Sequence, residues 1–131
     1  MSGAIHHIEL WTSNLTVSEP EFHWLLTSLG WAATPVEGWD DGRVWTAPSG
    51  EYLVLEQSRA LRGEHDRMQA GLNHLALCVR DRQLLDRLRG EASTQGWREL
   101  FAERYPHAGG EQHVALYLEN TEGFEVELVV A

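Results

Sequence analysis

Two histidines and two glutamates have the residue types and the spacing of a metal site. His7 lies in a strand-like segment near the start of the chain, and Glu56 ends a strand-like segment that closes the first half. His74 and Glu127 hold similar places in the second half, 67 residues after His7 and 71 residues after Glu56. Imidazoles and carboxylates form a mixed nitrogen and oxygen ligand set, which suits Fe(II), Mn(II), Ni(II), Co(II) or Zn(II). Burying such carboxylates between Val and Leu without a partner would be costly, so we expect a cation.

The two halves of the chain repeat the same series of landmarks. In each half a strand with a histidine leads to an amphipathic helix, which stops at a Gly-Trp pair. These pairs are Gly30-Trp31 and Gly96-Trp97, which lie 66 residues apart. A glycine turn and a strand with a glutamate then close each half. The nearly constant offset indicates a duplicated module.

The elements that must position the four side chains follow the order βαβββ in each half. The first module covers about residues 4–57, a charged segment over about 58–70 is the predicted linker, and the second module covers about 71–131. The first helix is predicted to open at Ser18, two residues before a proline. The pattern predicts a single α+β domain over residues 1–131, with curved mixed sheets around the metal site.

Composition and charge exclude several classes of protein. With 131 residues, 43% of them hydrophobic, the chain can fill one core. It has no apolar run near the ~20 residues that cross a bilayer, so we expect no membrane partner. Cys78 is the only cysteine, which rules out an intramolecular disulfide and favours the cytoplasm. A formal net charge of −10 argues against nucleic acid as a partner, because phosphates attract basic patches.

Two βαβββ modules, each with an early histidine and a late glutamate, resemble the vicinal oxygen chelate superfamily. Its members include glyoxalase I, type I extradiol dioxygenases, fosfomycin-resistance enzymes and bleomycin-binding proteins. The resemblance covers essentially the whole chain and is strongest over residues 7–15, 71–79 and 117–128. The family's Asp-Pro-Asp-Gly turn is here Asn120-Thr121-Glu122-Gly123, which loses the proline and keeps the glycine.

The resemblance implies a ligand set, a cofactor and an assembly. The cofactor is a divalent metal, with Fe(II) favoured over Ni, Co, Zn and Mn, and the expected assembly is a homodimer. The implied metal ligands are His7, Glu56, His74 and Glu127.

A second cluster of reactive side chains precedes Glu127. Tyr117 lies ten residues before it, and a tyrosine has similar spacing in the extradiol dioxygenases. In those enzymes a histidine on a preceding segment acts as acid and base, and either His107 or His113 could match it. The resemblance therefore implies His107 and Tyr117 as catalytic residues, with His113 as the alternative to His107.

Three functions from different classes remain open. The first is a dioxygenase that cleaves or rearranges an aromatic substrate with vicinal oxygens. The second is a glyoxalase-type lyase or isomerase that polarises a carbonyl or enediolate, and the third is a drug-binding resistance protein without chemistry. Retention of all four ligands counts against the third.

The number of metal ligands separates the two enzyme classes. Four protein ligands on an octahedral metal leave two positions, which a bidentate substrate fills without room for O2. That arrangement favours the lyase unless Glu56 is displaced, whereas a triad of two histidines and one carboxylate is usual for oxygenases. Since His107 and Tyr117 have no role in a glyoxalase, the dioxygenase is the preferred prediction.

Overall fold

The computed structural model of the protein describes residues 3–131, which contain two α-helices and eight strands. The strands form two mixed four-stranded sheets, one in each half of the chain. Two compact units result, of which the second begins at His65. The predicted α+β fold with two βαβββ modules is therefore confirmed. Neither α-helix in this part of the chain is long and apolar enough to cross a membrane.

The first unit is a sheet with one helix against it. The sheet has the strand order β1-β4-β3-β2, in which β1 and β4 are parallel and the other pairs are antiparallel. The helix α1 contacts β3 and β4 and buries Phe22, Leu25 and Leu26 completely. The elements are β1 (His7–Trp11), α1 (Leu15–Ser28), β2 (Ala32–Thr34), β3 (Gly42–Thr46) and β4 (Tyr52–Glu56).

The first helix begins three residues before its predicted start at Ser18. Asn14 is the N-cap, and its side chain accepts a hydrogen bond from the backbone N–H of Val17 at 3.3 Å. Ser18 is buried inside the helix, where its hydroxyl donates to Thr12 Oγ1 at 2.9 Å. The prediction was wrong because Ser18 before Pro20 looks like a cap, whereas Asn14 supplies a stronger one.

The second unit repeats this architecture with the strand order β5-β8-β7-β6. Its helix starts as predicted, because Asp81 caps it by accepting from the backbone N–H of Leu84 at 2.8 Å. The buried face of that helix packs on β5, β7 and β8. The elements are β5 (Leu75–Val79), α2 (Arg82–Glu91), a 3-10 helix (Ala92–Gln95), β6 (Arg98–Leu100), a second 3-10 helix (Ala102–Arg104), β7 (Val114–Glu119) and β8 (Glu125–Val130).

The later part of the predicted linker belongs to the second unit. The ring of His65 stacks on Phe124 with centroids 4.0 Å apart. Arg67 donates to Glu119 and also to the carbonyl oxygen of Gly123 at 3.1 Å. Residues 65–67 are therefore held by the turn before β8.

Candidate metal centre

His74 and Glu127 contact each other on one face of the second sheet. His74 precedes β5 directly, and Ala76 lies opposite Glu127 in the parallel pair of β5 and β8. Residues two apart in a strand point to the same face, so both side chains meet there. His74 Nε2 lies 3.1 Å from Glu127 Oε1, and the Glu127 side chain is 8% exposed. Two neighbouring ligands that each lie about 2.1 Å from one metal are about 3 Å apart, so this spacing suits a shared cation.

Tyr117 lies directly across the sheet from Glu127. The two residues are partners in the antiparallel pair of β7 and β8, and the tyrosine hydroxyl hydrogen-bonds to the carboxylate. The ring of Tyr117 is also 6.3 Å from that of His74. Burial raises the pKa of the Tyr117 hydroxyl, and the charge and hydrogen bond of Glu127 raise it further. Tyr117 is therefore a proton donor at neutral pH.

The structure separates the two histidines that the sequence left as alternatives. His113 Nε2 contacts Oε2 of Glu127, the oxygen that His74 does not contact. His107 is exposed, and its Nδ1 donates to the carbonyl oxygen of His113 at 3.3 Å. His113 thus touches the carboxylate, while His107 reaches it only through the backbone of His113.

Gly109 lets the loop before β7 approach this cluster. A Cβ atom at this position would lie 2.5 Å from His113 Cδ2 and 2.7 Å from the Tyr117 hydroxyl oxygen. Both distances are too short for real side chains. Sequence analysis gave Gly109 no role, because a glycine in a loop has many ordinary explanations.

The first unit does not bring His7 and Glu56 together. In the parallel pair of β1 and β4, His7 lies opposite Tyr52, and Glu56 lies opposite Trp11 four residues further along. That separation is about 13 Å along a strand. The ring of His7 instead stacks on Tyr52, with centroids 4.7 Å apart and an angle of 2° between the rings.

Glu56 belongs to a pair of acidic side chains at the other end of these strands. Burial raises the pKa of Glu56, and a hydrogen bond and charge from Glu9 and the charge of Asp41 raise it further. Glu9 in turn accepts a hydrogen bond from Trp11 Nε1 at 2.6 Å. The pair therefore shares protons within the first unit, at a distance from His7.

Of the four predicted ligands, the structure brings one pair together. Among residues 3–131, no three His, Cys, Asp or Glu side chains are gathered into a group that could hold a metal ion. The contact of His74 and Glu127 supplies one imidazole nitrogen and one buried carboxylate, which are donors that fit a divalent metal of the Fe(II) to Zn(II) series. His7 and Glu56 stay predicted ligands.

Comparison with known proteins shows the family. No protein-family model matches the chain. It is 35% identical over 127 residues to the uncharacterized protein YqjT of Bacillus subtilis (strain 168), a match that covers 95% of this chain and 97% of YqjT. A crystal structure named as that of a "putative glyoxalase" from Bacillus halodurans is 31% identical, has a TM-score of 0.88, and is matched over 98% of this chain and 96% of the other. The chain belongs to the vicinal oxygen chelate superfamily.

A more distant superfamily member has the same fold with a metal bound. The fosfomycin resistance protein FosX from Listeria monocytogenes, in complex with Mn(II) and 1S,2S-dihydroxypropylphosphonic acid, is 14% identical with a TM-score of 0.66. The match covers 100% of this chain and 92% of FosX. The superfamily therefore supplies the fold, and the local geometry must supply the chemistry.

Proposed function

We propose that this superfamily member is a metal-dependent dioxygenase that acts on an aromatic substrate with vicinal oxygens. The proposed ligands are His74 and Glu127 from the second unit and His7 from the first. The observation that carries the proposal is Val54, which occupies the position in the first unit that Glu127 occupies in the second. With no carboxylate there, and with Glu56 four residues along from His7, two histidines and one carboxylate are the expected set.

A set of three ligands favours Fe(II) and oxygen chemistry. It leaves three positions on an octahedral metal, which is enough for both substrate oxygens and for O2. FosX holds Mn(II) on the same fold, which supports a divalent metal. When bound, the metal supplies chelation of the substrate oxygens and a place for O2 beside them.

Tyr117 and His107 would handle the protons of the reaction. The Tyr117 hydroxyl keeps its proton, because burial and Glu127 raise its pKa, and it can donate that proton to an oxygen atom of the substrate. His107 is exposed on the loop that carries Gly109, so its ring can accept a proton from a substrate hydroxyl. A general acid or base contributes about 10²–10⁴ in rate.

Oxygen uptake tests the proposed reaction. The purified chain is loaded with Fe(II) without air and then given a panel of catechols and hydroquinones in buffer that contains O2. We expect one O2 consumed per ring cleaved, followed with an oxygen electrode and by mass spectrometry of the product. A parallel assay offers a thiol hemithioacetal. If the hemithioacetal were isomerised and no O2 were taken up, the lyase would replace the dioxygenase.

Two variants test the proton-handling residues. Tyr117→Phe and His107→Ala should bind metal normally and react about 10²–10⁴ more slowly, with Tyr117→Phe the milder. Tyr105→Phe is the matched control, because its hydroxyl donates to Asp86 at 2.7 Å on the helix side of the same loop. Turnover unchanged in both test variants would remove the main support for the dioxygenase.

The glyoxalase-type lyase is the second candidate, and one observation favours it. The relative from Bacillus halodurans, which is named as a glyoxalase, is 31% identical to this chain. The predicted homodimer is untested and belongs to either candidate. Sedimentation equilibrium of the metal-loaded chain measures it.

A further inference from the structure

Phe101 adopts a backbone conformation that a phenylalanine rarely accepts. It follows β6 with φ 57° and ψ 36°, and among residues 3–131 it is the one non-glycine residue with positive φ. The left-handed region crowds the Cβ atom of L-residues against the backbone, so glycine is the usual choice. The neighbouring turns of this unit follow that rule with Gly96, Gly110 and Gly123. A phenylalanine at this position therefore indicates a use for its ring.

The ring of Phe101 does not gain much burial in return for this conformation. The residue is 42% exposed, which is high for a large hydrophobic side chain. Exposed apolar surface of this kind is often a contact for a ligand when it lies beside reactive groups. Burial alone thus gives no reason to keep a strained phenylalanine in place of glycine.

The exposed ring lies beside the proposed metal ligands. Its edge-to-face contact with Tyr117 has centroids 5.5 Å apart and an angle of 86°. Tyr117 hydrogen-bonds to Glu127 and lies 6.3 Å from the ring of His74. On the other side, the guanidinium of Arg104 lies 5.1 Å from the centre of the Phe101 ring. The ring is therefore held in place by two neighbours and still open to solvent.

We propose that Phe101 forms the aromatic wall of the substrate subsite and selects substrates with a planar ring. The inference rests on the proposed function, since it takes the oxygens of the substrate to be at the metal. A planar ring that extends from those oxygens meets Phe101 next to Tyr117, where offset or edge-to-face contact is favourable. A small chelating molecule without a ring gains nothing from Phe101. Phe101 is thus a specificity-determining residue, and metal binding does not depend on it.

Two probes separate ring recognition from chelation. The full chain is loaded with Zn(II), which avoids turnover, and titrated with 4-nitrocatechol, whose absorption shifts on chelation, and with acetohydroxamate, which chelates without a ring. Phe101→Ala should bind 4-nitrocatechol about tenfold more weakly, because an aromatic contact contributes about one factor of ten. Its affinity for acetohydroxamate and for Zn(II), measured by calorimetry, should match the wild type.

Three further variants exclude a merely structural role. Phe101→Gly removes the ring and also relieves the backbone, so it should weaken 4-nitrocatechol as Phe101→Ala does while its thermal midpoint stays at or above that of the wild type. Phe101→Tyr should restore binding. Met68→Ala, which removes another exposed side chain of this unit, should change nothing.

The outcomes distinguish the inference from the proposed function. If the wild type binds Zn(II) and both probes and Phe101→Ala binds 4-nitrocatechol as tightly, the inference alone is overturned. Equal weakening of both probes also overturns it, because Phe101 would then act only by positioning Tyr117. If the wild type binds neither Zn(II) nor acetohydroxamate, the proposed metal-dependent function fails and the inference falls with it.

Discussion

The two units share one sheet topology but place different side chains at the centre of it. In the second unit Glu127 occupies the central strand, with Tyr117 opposite it on the antiparallel side. Counting from His7 in the same way as from His74, the corresponding positions in the first unit are Val54 and its antiparallel partner Val44. A carboxylate with a proton donor thus stands where the other unit has two aliphatic side chains.

This difference indicates which part of the duplicated module kept its chemistry. Both units have a histidine at the start of the first strand, but only the second has an acid at the level where that histidine can reach it. The acids of the first unit, Glu9 and Glu56, pair with each other instead. A buried carboxylate needs a partner, and for Glu127 the neighbours are His74, His113 and Tyr117. The second unit is therefore the one built around a charge.

The largest expected effect comes from exchanging the two predicted glutamate ligands for glutamine. Glu127→Gln should weaken Co(II) or Zn(II) binding by more than about 100-fold, because loss of a ligand exceeds the usual 10–100-fold cost of losing a supporting residue. Glu56→Gln should leave the affinity nearly unchanged and keep turnover. Both are measured by calorimetry and by the visible absorption of the Co(II) form. Equal, complete loss in both variants would restore the four-ligand set and the lyase chemistry.

The position of Glu56 shows where prediction from sequence stops. The landmarks suggested an offset of 66–71 residues between modules, whereas strand register pairs Val54 with Glu127, an offset of 73. Loops of unequal length cause the discrepancy. Because side chains alternate with period two, an error of two residues keeps the side chain on the same face. The pattern could therefore identify the correct face and strand, but not the level along the strand.

Other features were within reach of the sequence for physical reasons. Alternation and glycine turns define the strands, so the βαβββ order was predictable. Alternation also places His113 and Tyr117 on one face, which is the signal that brings His113 to Glu127. The close approach of Gly109 and the left-handed backbone of Phe101 were not predictable, because both depend on how a loop crosses the sheet. Contacts of this kind leave no periodic trace.

A smaller effect is expected from adding one methyl group near each sheet. Gly109→Ala would place its Cβ 2.5 Å from His113 and 2.7 Å from the Tyr117 hydroxyl oxygen, so both side chains must move away from Glu127. Overpacking of this kind costs about 1–3 kcal/mol, and turnover should fall with stability. Gly42→Ala is the matched change in the first unit, where the Cβ would meet the Trp39 ring at 2.1 Å.

The two glycine variants should differ in function more than in stability. Urea unfolding should show a loss in both, whereas only Gly109→Ala should lower turnover after correction for the folded fraction. Trp39 can swing outward without disturbing a reactive group. If Gly42→Ala lowered turnover as much as Gly109→Ala, the assignment of the chemistry to the second unit would be weakened.

The smallest effect concerns the acid pair of the first unit and appears as a pH dependence. Burial and Glu9 raise the pKa of Glu56 above its ordinary 4.5, so the folded chain holds this proton more tightly than the unfolded chain does. The resulting stability is fully present below about pH 4.5 and is lost as the pH rises through the raised value. Glu9→Gln removes the neighbouring charge, so the variant should gain stability relative to the wild type between pH 4 and pH 7, by less than about 1 kcal/mol for so exposed a pair.

Glu51→Gln is the control with the opposite sign. The hydrogen bond from Ser49 lowers the pKa of Glu51, so this carboxylate stabilises the fold above its unfolded pKa and loses that contribution as the pH falls through the lowered value. Its removal should therefore cost stability at pH 7 and little at the lowest pH. Urea unfolding across this range measures both variants. If Glu9→Gln followed the same pH dependence as the wild type, Glu56 would not be coupled to Glu9, and the acids of the first unit would be independent surface charges.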